Sequence, residues 1–102
     1  MSKILLICGG GASSGFMAAA ARKAAKKMKL EMEFKARSDS ELNDYLSEND
    51  LLLIAPHLNF MAESIEPEAK KAHIKVAVIP QAIYGSLDGS GLVKFAQEQL
   101  GE

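Results

Sequence analysis

An α/β fold built on a parallel sheet is what this chain predicts, and three observations predict it. Two internal runs, Leu51-Leu52-Leu53-Ile54-Ala55 and Val76-Ala77-Val78-Ile79, are apolar without a break, as strands covered on both faces must be. Helical segments alternate with strand segments along the chain, and right-handed crossovers turn that order into a four-stranded parallel sheet with helices on both faces. The first apolar run, Lys3-Ile4-Leu5-Leu6-Ile7, passes through Cys8 into Gly9-Gly10-Gly11-Ala12-Ser13-Ser14-Gly15, a glycine-rich turn that leads into a helix.

The elements follow in order. Residues 3–7 form the first strand. Over 16–28, Phe16, Met17, Ala20, Ala21, Ala24, Ala25 and Met28 fall on one stripe, while Arg22, Lys23, Lys26 and Lys27 fall opposite; this is an amphipathic helix whose cations suit its C-terminus. Leu30-Glu31-Met32-Glu33-Phe34-Lys35-Ala36 alternates with a period of two, the mark of a half-buried or edge strand. Ser38 or Asp39 caps a short acidic helix over 41–48. The run 51–55 is the third strand. A helix follows over 59–71, with Pro67 restarting it. Residues 76–79 form the fourth strand, and a last helix over 89–100 buries Leu92, Val93, Phe95, Ala96 and Leu100. No linker, repeat or low-complexity tail interrupts this order, so residues 1–102 read as one domain.

Composition excludes several classes of function. Hydrophobic residues make up 48% of the chain and charged residues 25%, with a formal net charge of −1. That balance gives no pull toward nucleic acid or an anionic membrane. The single cysteine rules out an internal disulfide and a cysteine-cluster metal site, and a free thiol suits the reducing cytosol. No stretch approaches the ~20 apolar residues of a membrane span. The expectation is a cytoplasmic monomer that needs no metal or cofactor and meets a membrane only through a partner.

Cys8 is where chemistry is expected. A strand-to-helix turn presents successive backbone N–H groups and the positive end of a helix dipole, an arrangement suited to an anion. The same field lowers a nearby thiol's pKa, from about 8.5 toward about 3.5–7.5 at such sites. One turn thus offers a nucleophile, Cys8, and a phosphate cradle over Gly9, Gly10, Gly11, Ala12, Ser13, Ser14 and Gly15.

Known phosphate loops fit this segment poorly. The dinucleotide fingerprint G-x-G-x-x-G starts at Gly9 and Gly11 but meets Ser14 where its third glycine belongs. The nucleotide loop G-x-x-x-x-G-K-[ST] fits Gly10 and Gly15 and then fails at Phe16 and Met17. A cysteine phosphatase loop, C-x₅-R, would need arginine at Ser14 to clamp the transferring group. Without it, a phosphoryl group can be held by backbone N–H groups and hydroxyls but not hydrolysed rapidly. The bland reading, a small buried hydrophobe at a strand end, leaves the glycines and hydroxyls that follow without a purpose.

Three motifs together resemble a known family, the IIB component of the lactose/cellobiose branch of the bacterial phosphoenolpyruvate-dependent sugar phosphotransferase system. Cys8-x-x-Gly11-x-Ser13-Ser14 is similar to that family's C-x-x-G-x-S-[ST] loop. Leu53-Ile54-Ala55-Pro56-His57 is similar to its L-[LI]-[GA]-P-Q after the third strand. Ile83-Tyr84-Gly85 with Asp88-Gly89 is similar to its Y-G-x-x-[DN]-G after the fourth. The resemblance implies a sheet of order 2-1-3-4, with loops 8–15, 56–60 and 80–85 converging on Cys8 at the switch point. It also implies a phosphotransferase relay. Cys8 takes a phosphoryl group from a phosphohistidine of a IIA protein and yields it to a sugar of β-glucoside, cellobiose or lactose class, bound by a membrane IIC permease.

Some positions depart from the family pattern. Gly9-Gly10 stands for Ser-Ala, Gly15 for a small hydroxylated residue, His57 for glutamine, and Gln81 for a frequent aspartate. Pro56, His57, Gln81 and Tyr84 are candidate loop or partner contacts. For His57, a proton-donating or thiolate-tuning role and a simple polar contact are both open; for Tyr84, so are the loop, the partners and the core. His73 reads as a surface residue. Two other classes stand beside the relay: a low-molecular-weight phosphatase or arsenate-reductase-like enzyme, and a non-catalytic binding module in which Cys8 is incidental.

Overall fold

A computed structural model of the chain describes residues 2–8, 12–38 and 49–101, the side chains of Cys8, Ala12, Ser13, Ser14 and Ser38 excepted. Four parallel strands, β1 (Ser2–Cys8), β2 (Met32–Ser38), β3 (Leu51–Ile54) and β4 (Lys75–Val78), form one sheet of order β2-β1-β3-β4. The expected order 2-1-3-4 is therefore the observed one. Helix α1 (Ala12–Lys27) connects β1 to β2, and α2 (Ala62–Lys71) lies between β3 and β4. These two crossovers run in opposite directions along the sheet, so their common right-handedness puts α1 and α2 on opposite faces. After β4 come a short helix, α3 (Gln81–Gly85), and α4 (Gly89–Leu100), which packs against α1. Among the described residues no helix is long and apolar enough to cross a membrane.

The hydrophobic pattern explains the layering. Ile4, Leu5, Leu6 and Ile7 of β1 and Leu51, Leu52, Leu53 and Ile54 of β3 are fully buried, because both central strands have a helical layer on either face. The similar run at Val76, Ala77 and Val78 is only half-buried: β4 is an edge strand with a single hydrogen-bonded neighbour. At the other edge, β2 buries Phe34 fully, as its period-two alternation requires. Asp50 fastens the entry to β3: its carboxylate accepts from the Lys3 N–H at 2.8 Å, and its own N–H donates to the Lys3 carbonyl at 2.7 Å.

Several boundaries differ from those the sequence predicts. Helix α1 starts at Ala12, four residues before the first position of the expected stripe. Met17, Ala21, Ala24 and Ala25 are buried as expected, but Phe16 and Met28 are exposed. The basic residues Arg22, Lys23, Lys26 and Lys27 face solvent, and Arg22 donates to the Phe34 carbonyl at 2.8 Å. The segment after β3 is a 3-10 turn, Pro56–Met61, broken at Leu58 (φ −111°, ψ 21°), and α2 then runs through Pro67 without a restart. A proline inside a helix removes one i→i−4 bond; here the flanking turns hold. The helix expected over 41–48 lies outside the described residues.

Three helices are followed by a left-handed residue that is not glycine. Lys29, His73 and Leu87 adopt φ of 57°, 59° and 53°. The residue after each returns its N–H to the preceding helix, Leu30 to the Ala25 carbonyl (2.9 Å), Ile74 to Ala69 (2.8 Å) and Asp88 to Ile83 (3.0 Å). This is the six-to-one bond that closes a helix C-terminus.

The seat of α4 on α1 is the tightest approach among the described glycines. Asp88 caps α4, its carboxylate accepting from the Gly91 N–H at 3.0 Å. At Gly89 a Cβ would fall 2.3 Å from the Ala20 carbonyl oxygen, a contact that only hydrogen permits. Gly89→Ala is therefore expected to push α4 off α1 and cost about 1–3 kcal/mol, the range for overpacking a well-packed contact. Urea denaturation checks it; a loss below about 0.5 kcal/mol, the scatter of neutral surface changes, would show that the two helices separate freely.

Candidate active site

The carboxyl ends of the four strands form one rim. Cys8 is the last residue of β1 and sits opposite Ser38, the last of β2; Ile7 sits opposite Ile54, the last of β3; and Ile54 sits opposite Val78, the last of β4. Two backbone bonds extend the rim past the ladders: the Ala55 N–H donates to the Ile7 carbonyl at 3.1 Å, and the Ile79 N–H to the Ile54 carbonyl at 2.9 Å. The connections leaving β1, β3 and β4 therefore start side by side. In this strand order the chain leaves β1 toward β2 on one side and β3 toward β4 on the other, so the rim between β1 and β3 is the switch point where open α/β sheets bind ligands.

At that point Cys8 is followed by three residues and then by the first turn of α1. Gly9, Gly10 and Gly11 lie outside the described residues. The backbone of Ala12, Ser13, Ser14 and Gly15 is helical and forms the first turn of a 16-residue helix. Its N–H groups have no partner within the helix. That turn carries no acidic side chain, and Lys26 and Lys27 occupy the last turn at the far end. The positive end of the helix thus stands above the end of β1 with no carboxylate of its own to neutralise it. A Cβ at Gly15 would meet nothing within 4 Å, so packing does not demand glycine there.

The residues expected after β3 and β4 are partly brought together. Pro56 opens the 3-10 turn and is half-buried, while His57 is exposed. Pro80 caps α3, and Tyr84 is buried within it. The rings of His57 and Tyr84 meet edge to face, centroids 5.9 Å apart and planes inclined by 64°, a favoured aromatic geometry. Tyr84 thus takes up the core position and also touches the rim. Gln81 is exposed at the start of α3, with its amide 3.2 Å from where a Cβ on Gly85 would stand; its side chain runs along its own helix. His73, exposed in the turn between α2 and β4, lies at the amino end of the strands, away from the rim. Among the described residues no three His, Cys, Asp or Glu side chains gather as metal ligands would.

Sequence patterning misses one feature of the rim. Of the four phenylalanines, Phe16 and Phe60 are 67% and 72% exposed. Phe16 belongs to the first turns of α1 and Phe60 to the 3-10 turn after β3. Phe16 thus belongs to the connection after β1 and Phe60 to the connection after β3. Phe16 also satisfies the helical stripe, so its exposure had no signal in the sequence.

Comparison with known proteins decides the family. The model of the "PTS system, Lactose/Cellobiose specific IIB subunit" family matches residues 3–95. The chain belongs to that family. Among curated relatives, the oligo-beta-mannoside-specific EIIB component of Bacillus subtilis (strain 168) is 30% identical over 89 residues, covering 87% of this chain and 86% of the relative. The lactose-specific IIB domain from Streptococcus pneumoniae superposes with a TM-score of 0.88 at 20% identity, over 96% of both chains. The cellobiose-specific IIB component from Borrelia burgdorferi gives a TM-score of 0.79 at 25% identity, over 98% of this chain and 92% of that one. IIB components are phosphotransferase subunits of sugar transport and work with IIA and IIC partners in general. This IIB chain shares their fold, sheet order included.

Proposed function

We propose that this IIB chain is a phosphocarrier in which Cys8 holds the phosphoryl group in transit. The observation that carries the reading is the place of Cys8: the last residue of β1 at the switch point, separated by three residues from a helix N-terminus free of acidic side chains. In the first step the Cys8 thiolate attacks the phosphorus of a IIA phosphohistidine in line; the S–P bond forms, the N–P bond breaks, and the imidazole takes up a proton. In the second, a sugar hydroxyl attacks the phosphorus, the O–P bond forms, the S–P bond breaks, and the thiolate is restored as the hydroxyl proton leaves to a base. Backbone N–H groups over 9–15 stabilise charge on the equatorial oxygens in both steps, with the Ser13 and Ser14 hydroxyls as additional donors.

The sugar belongs to the β-linked glycoside class, on the strength of relatives described as oligo-beta-mannoside-, lactose- and cellobiose-specific. It is held by the membrane IIC protein, which this chain meets at the inner face of the membrane while remaining a cytoplasmic monomer. A phosphatase reading is disfavoured by Ser14, which stands where the clamping arginine would be. The test is transfer of labelled phosphoryl from a phosphorylated IIA protein of this branch. Label is expected to move to this chain, with no unaided turnover of p-nitrophenyl phosphate; label appearing directly as free phosphate would favour the hydrolase.

Donor docking makes use of the exposed aromatics. A phosphohistidine must come within attacking distance of Cys8, so the IIA surface covers the rim flanked by Phe16 and Phe60. Phe60→Ser is expected to raise the KM for phospho-IIA about tenfold, as loss of an aromatic interface anchor does at about 1–2 kcal/mol, with stability unchanged. Steady-state transfer kinetics check it; an unaltered KM would place the donor elsewhere.

A further inference from the structure

We propose that the free edge of β4 pairs two copies of this chain, strand against antiparallel strand, in a weak dimer closed by a two-fold axis. The inference rests on the sheet alone and is independent of the relay reading above.

The two edges of the sheet differ. Along a strand, successive residues turn their backbone N–H and C=O groups to alternate sides. On the β2 side the Glu31 carbonyl accepts from the Ser2 N–H at 3.1 Å. The odd-numbered residues of β2 therefore face β1, and the carbonyls of Phe34 and Ala36 face outward. Both outward carbonyls are occupied by guanidinium groups. Arg22 reaches over from α1 to Phe34, and Arg37 turns back onto Ala36, each at 2.8 Å. Lys35 and Glu33 add an ion pair at 3.4 Å on the same strand. Charged side chains along an edge are one way in which sheets avoid pairing with each other.

The β4 edge lacks such a guard. The Ile79 N–H donates to the Ile54 carbonyl at 2.9 Å, so the odd-numbered residues face β3, and Val76 and Val78 turn their N–H and C=O groups outward. Those groups have no hydrogen-bond partner among the described residues. The one charged residue of the strand is Lys75, at its start. Val76, Ala77 and Val78 are half-buried, although the run is as apolar as a central strand.

The occupant that fits is a second copy. About an axis through Ala77, Val76 of one copy lies opposite Val78 of the other, and the two Val76–Val78 pairs exchange all their N–H···O bonds. No outward group of the strand is left over. The neighbouring symmetric registers do worse. Val76 opposite Val76 sets Val78 against Ile74, whose N–H is committed to the Ala69 carbonyl at 2.8 Å. Val78 opposite Val78 sets Val76 against Pro80, which has no N–H. At the axis Ala77 meets Ala77 in a non-hydrogen-bonded pair, Cα atoms about 4.5 Å apart, where a methyl group leaves room. The two Lys75 fall at opposite ends of the seam, roughly 13 Å apart, beyond the Debye length of about 8 Å at physiological salt.

The guarded β2 edge limits the assembly. Were both edges open, sheets would add edge to edge without end; with β2 blocked, the β4 pairing closes at two copies. One seam between two short strands is small beside a typical interface, which carries about ten hydrogen bonds. The pair therefore forms when the free chain is concentrated, and the chain docked on IIC acts as a single copy. Antiparallel pairing points the two rims in opposite directions, each with β3 and β4 between its switch point and the seam.

The test is sedimentation equilibrium of the full chain from about 10 μM to about 1 mM, the span over which weak association registers. Val76→Pro is run beside wild type; it deletes an outward donor and leaves the ladder to β3 intact, as an edge strand tolerates. The mean mass of wild type is expected to climb from one chain toward two and stop there, while Val76→Pro stays at one. Amide hydrogen exchange of wild type, read by NMR at both concentrations, locates the seam without any substitution. The Val76 and Val78 amides are expected to slow as the dimer fills, and the Ala77 amide, which faces β3, to keep its rate. A mass fixed at one chain up to about 1 mM, or association that leaves the Val76 and Val78 amides unchanged, would overturn the proposal. So would growth beyond two copies. Should Val76→Pro fail to fold, the exchange rates of wild type decide alone.

Discussion

Cys8→Ser is expected to fold as the parent does and to lose phosphoryl acceptance by at least about 1,000-fold, the scale on which removing a nucleophile acts. Sulfur and oxygen differ little in size, and the backbone of residue 8 is fixed by its parallel pairing with Ser38. The strand end should therefore survive. What changes is ionisation. At a helix N-terminus a thiol can be lowered from about 8.5 to near or below neutrality, whereas the same field leaves a serine hydroxyl almost wholly protonated. Labelled transfer from phospho-IIA measures the loss, and a thermal melt run beside it separates chemistry from folding. A serine variant that accepts phosphate within tenfold of the parent rate would mean that thiolate formation is not what the site provides.

The largest effect on stability is expected at Phe34. Its side chain is fully buried on the edge strand β2, whose only strand neighbour among the described residues is β1. Over it passes α1, with the Arg22 guanidinium bonded to its carbonyl at 2.8 Å. Phe34→Ala removes a whole ring from this layer, and such truncations cost about 3–5 kcal/mol because the cavity collapses only partly. For a domain of this size, whose total stability is about 5–15 kcal/mol, that is enough to populate unfolded chains in vivo. Denaturant midpoints at unchanged slope check the figure; a loss below about 1 kcal/mol would mean that α1 settles onto the sheet and refills the space.

How much of this was legible in the sequence depended on how much chain each feature spans. The runs at 3–7 and 51–55 are continuous because β1 and β3 are central, and so are readable without ambiguity. Phe34 gave away β2 through alternation alone. By contrast, the run at 76–79 looked equally central, yet β4 is an edge: apolar residues on a strand do not say how many neighbours it has. Helix α3 went unseen because five residues make less than two turns, too few for a period to show. Helix ends were hard to place because Lys29, His73 and Leu87 take the left-handed role that glycine usually advertises. At the candidate site, the motifs pointed to Cys8, Pro56 and Tyr84, and the strand order starts the segments after β1, β3 and β4 side by side. The meeting of His57 with Tyr84 was not, since it joins two loops through tertiary structure. Nor was the exposure of Phe16 and Phe60, because residue type alone does not say whether an aromatic is buried or exposed.

The central claim is that the phosphoryl group rides on Cys8, and peptide mapping of the phosphorylated chain tests it most directly. The protein is charged by phospho-IIA at neutral pH, digested, and each peptide weighed. One added phosphoryl group is expected on the peptide that contains Cys8, and none on those that contain His57 or His73. An adduct on a histidine peptide, or one that persists in Cys8→Ser, would contradict the account.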